Sequence, residues 1–211
     1  TYSCIQVDTN YYFSGIFADS ILIENDTLIS KNQQYDAFLL KTDSVGNMLW
    51  HRTIGGDNLE YTFSLTADNN SEIYVAGYYE SSRLGVGANG SDTSYFEQNK
   101  GDFDIFILKY SALGDLIWTN FNGGEDDDRV FDISFFDNQI HVSGFFSDTV
   151  YWGGVELAST GTTDKDMFYG SLTTDGAYRS ANSYAGNSGS AEEARAVFND
   201  GNNLYTVIKS N

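Results

Sequence analysis

The chain has 211 residues, 41% of them hydrophobic and 16% aromatic, so it carries enough apolar side chain for a core and is no disordered segment. Thirty acidic against 11 basic residues give a formal net charge of −19, which repels phosphate backbones and argues against a nucleic-acid partner. No apolar run approaches the ~20 residues that a membrane helix needs, so direct membrane insertion is not expected, and the lone Cys4 excludes an internal disulfide.

In chain order, residues 2–7 alternate polar and apolar side chains and end in an Asx turn, and residues 11–17 (YYFSGIF) continue as a second short run. A long polar connection, residues 18–35, leads to DAFLLKT at residue 36, a Gly/Asn turn, and MLWHRTIGG ending at residue 56. This block returns 68 residues later as DIFILKY…LIWTNFNGG: Asp36 matches Asp104, Phe38 matches Phe106, Lys41 matches Lys109, Trp50 matches Trp118, and Gly55-Gly56 match Gly123-Gly124. A worn third copy puts Asp166, Phe168, Gly176 and Gly186 a further 62 residues on, without the Lys and the Trp. The preceding block recurs as IYVAGYY (73–79), IHVSGFF (140–146) and, degraded, LYTVIKS (204–210). Period-two alternation, aromatic and β-branched enrichment, and turns made of Gly, Asn and Asp in a chain without proline predict strands throughout. No stretch carries a 3.6-residue apolar stripe.

Four antiparallel strands per unit, repeated at a period of 62–68 residues, predict an all-β fold, a β-propeller with four-stranded antiparallel blades. The units run approximately over residues 1–56, 57–124, 125–186 and 187–211, the last holding only its first two strands. That makes about three and a half blades, an incomplete ring and so part of a longer chain, since closed propellers take about four to eight blades. The recurring Phe38, Phe106, Phe168, Trp50 and Trp118 are expected to pack between blades.

The pattern of Asp36, Phe38, Lys41, Asp43, Gly46, Trp50, Gly55 and Gly56, repeated at Asp104, Phe106, Lys109, Gly114, Trp118, Gly123 and Gly124, resembles the bacterial SBBP-type β-propeller repeat. Residues 148–159 (DTVYWGGVELAS) are similar to that family's linker. The resemblance covers almost the whole chain and implies a secreted or cell-surface bacterial protein; it names no reaction.

In such a blade order the connections between second and third strands, and between successive blades, share one end of the scaffold. These are the long ones here, residues 18–35, 80–103 and 147–165, with GGDNLE (55–60), GGEDDDR (123–129) and GNSGSAEE (186–193). Long loops on a rigid frame are where binding usually sits. Tyr95, Phe96, Tyr151 and Trp152 lie among them as candidate ligand-binding aromatics, suited equally to sugar stacking and protein contact. Asp126, Asp127, Asp128 and Asp102 are candidate oxygen ligands for calcium, or else a solvated or structural acidic rim; there is no EF-hand loop among them. No catalytic residue is nominated. His51 and His141 fall in strand positions, and no G-x-S-x-G, H-E-x-x-H or phosphate-loop motif is present. The expected function is a non-enzymatic extracellular recognition or scaffold module that binds protein or surface glycan, with the rest of its own polypeptide completing the propeller. The alternative is the propeller domain of a secreted polysaccharide hydrolase or lyase, working through paired carboxylates.

Overall fold

The computed structural model describes residues 2–24, 26–87, 94–95, 99–159, 161, 165–184 and 191–210. Among these the chain is all-β, and its one helical turn is a 3-10 turn at Lys31–Gln33. The first unit holds β1 (Ser3–Val7) and β2 (Asn10–Phe17), a small hairpin β3 (Ser20–Ile23) and β4 (Asp26–Ile29), then β5 (Asp36–Thr42) and β6 (Met48–Gly55). The second holds β7 (Glu60–Ala67), β8 (Ile73–Tyr79), β9 (Gly85–Gly87), β10 (Ser94–Tyr95), β11 (Asp104–Tyr110) and β12 (Leu116–Asn122). The third holds β13 (Arg129–Phe136), β14 (Gln139–Ser147), the hairpin β15 (Thr149–Trp152) and β16 (Val155–Ala158), then β17 (Lys165–Thr173) and β18 (Tyr178–Tyr184). A last pair, β19 (Glu192–Asn199) and β20 (Leu204–Ser210), follows.

Strand order within each sheet follows chain order and is antiparallel throughout: β1-β2-β5-β6, β7-β8-β11-β12, β13-β14-β17-β18 and β19-β20. The first sheet gains two strands from the second unit, because β9 pairs with β6 and β10 with β9. Residues of β8 and β11 are buried on both faces. Such a strand reads as a continuous apolar run because a neighbouring sheet covers each side. One core joins Tyr12, Leu39 and Ile54 of the first sheet to Val75, Phe106 and Leu108 of the second. Another joins Tyr74, Ile105 and Ile107 of the second to Val130, Val142 and Phe168 of the third.

The repeated Lys and Trp do more than fill these cores. Lys41 Nζ and Trp50 Nε1 both donate to the carbonyl of Ala112, at 2.8 and 3.2 Å, in the turn between β11 and β12. One unit on, Lys109 Nζ and Trp118 Nε1 both donate to Thr174, at 2.7 and 3.1 Å, in the turn between β17 and β18. The first two sheets therefore each grip the last hairpin turn of the next through one carbonyl. In the third unit the equivalent residues are Ser171 and Ser180, whose hydroxyls bond each other at 2.7 Å.

The first strands carry a bulge at one repeated position, where Phe63, Phe131 and Arg195 are left out of the ladder. These side chains contact one another in turn, Phe63 meeting Phe131 edge-on and stacking on Tyr2, the residue before β1. Tyr2 lies 5.1 Å from Phe63, Phe63 lies 5.6 Å from Phe131, and the Arg195 guanidinium sits 4.1 Å from the Phe131 ring. One residue from each of four successive sheets thus forms a column.

Trp118→Phe removes one donor to Thr174 and trims the ring, and should cost about 1–2 kcal/mol. Phe106→Ala empties a fully buried site and should cost ~3–5 kcal/mol. Urea unfolding followed by tryptophan fluorescence or far-UV dichroism gives both values and their order.

Candidate functional site

The long connections gather where one sheet hands over to the next. At the first handover the Glu60 amide donates to Tyr35 at 2.8 Å, and at the second the Asp128 amide donates to Phe103 at 2.8 Å. The third repeats the contact as a parallel bridge between Lys165 and Ala191. Buried carboxylates organise each junction. Glu60 accepts the Gly56 amide at 2.9 Å, and Asp128 accepts those of Gly124 and Ser147 at 2.6 and 3.2 Å. Asp36 and Asp104 accept the amides of Lys31 and Lys100, at 3.0 and 2.7 Å. A Cβ on Gly55 or Gly123 would run into those last carboxylates, which accounts for the first residue of each Gly-Gly pair.

Burial shapes their titration. It pushes Asp36 up to about 6, against the Lys31 amide and ammonium. It holds Glu60 well above the carboxylate range, the Asp36 charge adding to the effect while the Ser81 hydroxyl and Gly56 amide oppose it. Burial also carries Asp128 to about 8, the Gly124 and Ser147 amides opposing and Asp104 and Asp127 adding.

Two of the long connections are hairpins of one design. Asp19 and Asp148 open them with φ of 54–56°. Ser30 and Ser159 close them by donating to those residues' carbonyls at 2.9 and 2.6 Å. Leu28 and Leu157 point inward. On the outward face Leu22 of the first hairpin is 70% exposed and Tyr151 of the second is 54% exposed. A cleft of about 670 Å3 opens beside the second hairpin, with Gly123, Gly124 and Thr149 in its lining. Tyr151 and Glu156 form one wall, cross-strand partners whose phenol and carboxylate meet at 3.3 Å. Asp148, Glu125 and Lys100 complete its rim.

The residues expected from sequence fall apart into different roles. Tyr151 faces the cleft. Trp152, expected beside it as a ligand-binding aromatic, is only 1% exposed and packs on Phe168 and Tyr178; alternation along β15 turns neighbours to opposite faces. The backbone of Tyr95 pairs with Gly85, and Phe96 lies outside the described residues. The expected calcium ligands are likewise dispersed. Asp128 is buried on its two amides, Asp127 pairs with Arg129 and Lys165 at 2.5 and 2.9 Å, Asp126 is half-buried and Asp102 is exposed. Among the described residues no three His, Cys, Asp or Glu side chains converge to hold a metal ion. The third inter-unit connection, residues 185–190, also lies outside the described residues. His51 is buried against Asp26 at 2.9 Å. His141 donates from Nε2 to the Phe136 carbonyl at 3.0 Å and so accepts from Tyr169 through Nδ1 at 2.5 Å, with burial lowering its pKa. Sequence reasoning missed Lys100, Asp148 and Glu156; the likeness of residues 148–159 to residues 19–30 was the available signal.

No family model matches the chain. It is 29% identical over 141 residues to the regulatory protein FlaEY of Caulobacter vibrioides, covering 67% of this chain and 14% of that protein. It is 24% identical over 81 residues to an uncharacterised WD repeat-containing protein of Acanthamoeba polyphaga mimivirus, covering 38% of this chain and 6% of that protein. The chain thus spans a small fraction of the relatives it matches.

The buried carboxyls set a pH dependence. Their folded values lie above the unfolded values near 4, so the folded chain keeps protons that the unfolded chain gives up. The resulting stability is complete below about pH 4 and is lost as pH rises through about 6 for Asp36 and about 8 for Asp128. The melting temperature should fall steadily between about pH 4 and 8, and Glu60→Gln should flatten the fall. A scanning-fluorimetry series over that range would contradict this by showing a rise, or the same slope in both proteins.

Proposed function

We propose that the chain is a β-propeller segment of an extracellular or cell-surface protein, and that it serves as a non-enzymatic recognition or scaffold module for a protein or surface glycan. The cleft at Tyr151 carries this reading: a concave, side-chain-lined site of small-ligand size, formed by loops on a packed β frame. Three features support the propeller geometry. Successive four-stranded sheets pack face to face. Each of the first two clamps the outer turn of the next. The column from Tyr2 to Arg195 takes the residue just before β1 and one from each of β7, β13 and β19, as strands lining a shared axis would place them. The reading requires further sheets to close a ring, which the rest of the same polypeptide would supply. The resemblance to SBBP-type repeats and a net charge of −19 favour secretion. No step in it depends on a metal.

The test is retention without turnover. Immobilised protein, challenged with envelope extracts and a polysaccharide panel, should retain a partner or a glycan while releasing no reducing ends. Release of reducing ends or of unsaturated products would overturn the non-enzymatic reading in favour of a hydrolase or lyase. Calcium at ~1 mM, added to chelator-treated protein, should move the melting temperature by less than ~1 °C.

A further inference from the structure

The cleft's chemistry narrows what it takes. Tyr151 stands on a two-stranded hairpin whose other face is anchored by Trp152 and Leu157 in the core. Its hydroxyl donates to Glu156 at 3.3 Å, and its ring presents a flat, half-exposed face to the cleft. Glu156, Glu125 and Asp148 line the same space against one ammonium, that of Lys100. Gly123 and Gly124 bring no side chain to the lining.

We propose that this cleft binds a neutral or amino-substituted saccharide unit, stacked by its C–H face on Tyr151 and held by hydroxyl or amino donors to Glu125, Asp148 and Glu156. The proposal rests on the recognition reading above and names its ligand. An aromatic face offers a sugar's C–H surface a dispersion contact whose position is set by ring orientation. Carboxylates accept from vicinal hydroxyls or an ammonium in charge-assisted bonds, and the same three carboxylates repel a uronic or sulfated sugar.

Isothermal titration of the intact chain with three probes tests this: chitohexaose (neutral), the glucosamine hexamer (basic) and an alginate hexamer (acidic). Binding is expected for the first two and not for the third. Tyr151→Ala should weaken it roughly 10-fold or more. Tyr151→Phe, which keeps the face and loses the hydroxyl, should stay within roughly threefold of the parent. Glu125→Gln with Glu156→Gln should weaken the basic probe more than the neutral one. Alginate bound as tightly as the others, or affinity indifferent to Tyr151→Ala, would overturn the assignment. Failure of all three sugars while a protein partner is still retained removes the saccharide and leaves the recognition reading standing. Failure of sugars and partner alike removes both.

Discussion

A four-stranded sheet with apolar side chains on both faces cannot stand alone in water; it needs a neighbour on each side. That constraint governs this chain. Where it is met, as along β8 and β11, every residue is buried. Sheet-on-sheet burial is non-directional, however, and would tolerate sliding. The directional part comes from Lys41 and Trp50 on Ala112, and from Lys109 and Trp118 on Thr174. A buried ammonium needs acceptors; Lys109 finds Glu72 at 2.5 Å on its own sheet and the Thr174 carbonyl at 2.7 Å on the next, and the second bond ties the two sheets at one place. Register between sheets follows from that demand.

The junction carboxyls belong to the same logic. A loop that crosses between sheets leaves amides without strand partners, and buried main-chain donors must be met. Glu60, Asp128, Asp36 and Asp104 meet them from inside the seam. Within the acidic run 125–128, Asp128 is committed to the chain's own backbone and Asp127 to the Arg129 and Lys165 side chains. Glu125 and Glu156, at the Tyr151 cleft, stay exposed.

Much of the strand architecture was legible because its signals are local. Alternation marked β7 and β8, Asx and Gly turns separated them, and the 68-residue echo between Asp36 and Asp104 showed that one design was in use. What escaped depends on partners far along the chain. Nothing near Lys109 announces that its ammonium ends on the carbonyl of Thr174, because a carbonyl is common to every residue type. The bulges at Phe63, Phe131 and Arg195 are equally silent, since skipping one residue leaves no compositional trace. Trp152 was grouped with Tyr151 for a simpler reason: assigned to a loop, the two were denied the alternation that sends Tyr151 outward and Trp152 into the core.

The exchange of Lys and Trp for Ser171 and Ser180 has a mechanical meaning. The first two seams are tied to the last hairpin turn of the next sheet, whereas in the third sheet the hydroxyls at those positions bond each other. The β19–β20 pair is held to the third sheet elsewhere, by the Val197 amide on Asp132 at 2.8 Å and by Asn199 on the Phe135 carbonyl at 3.3 Å. Two substitutions in one worn repeat thus leave that joint to its first strands.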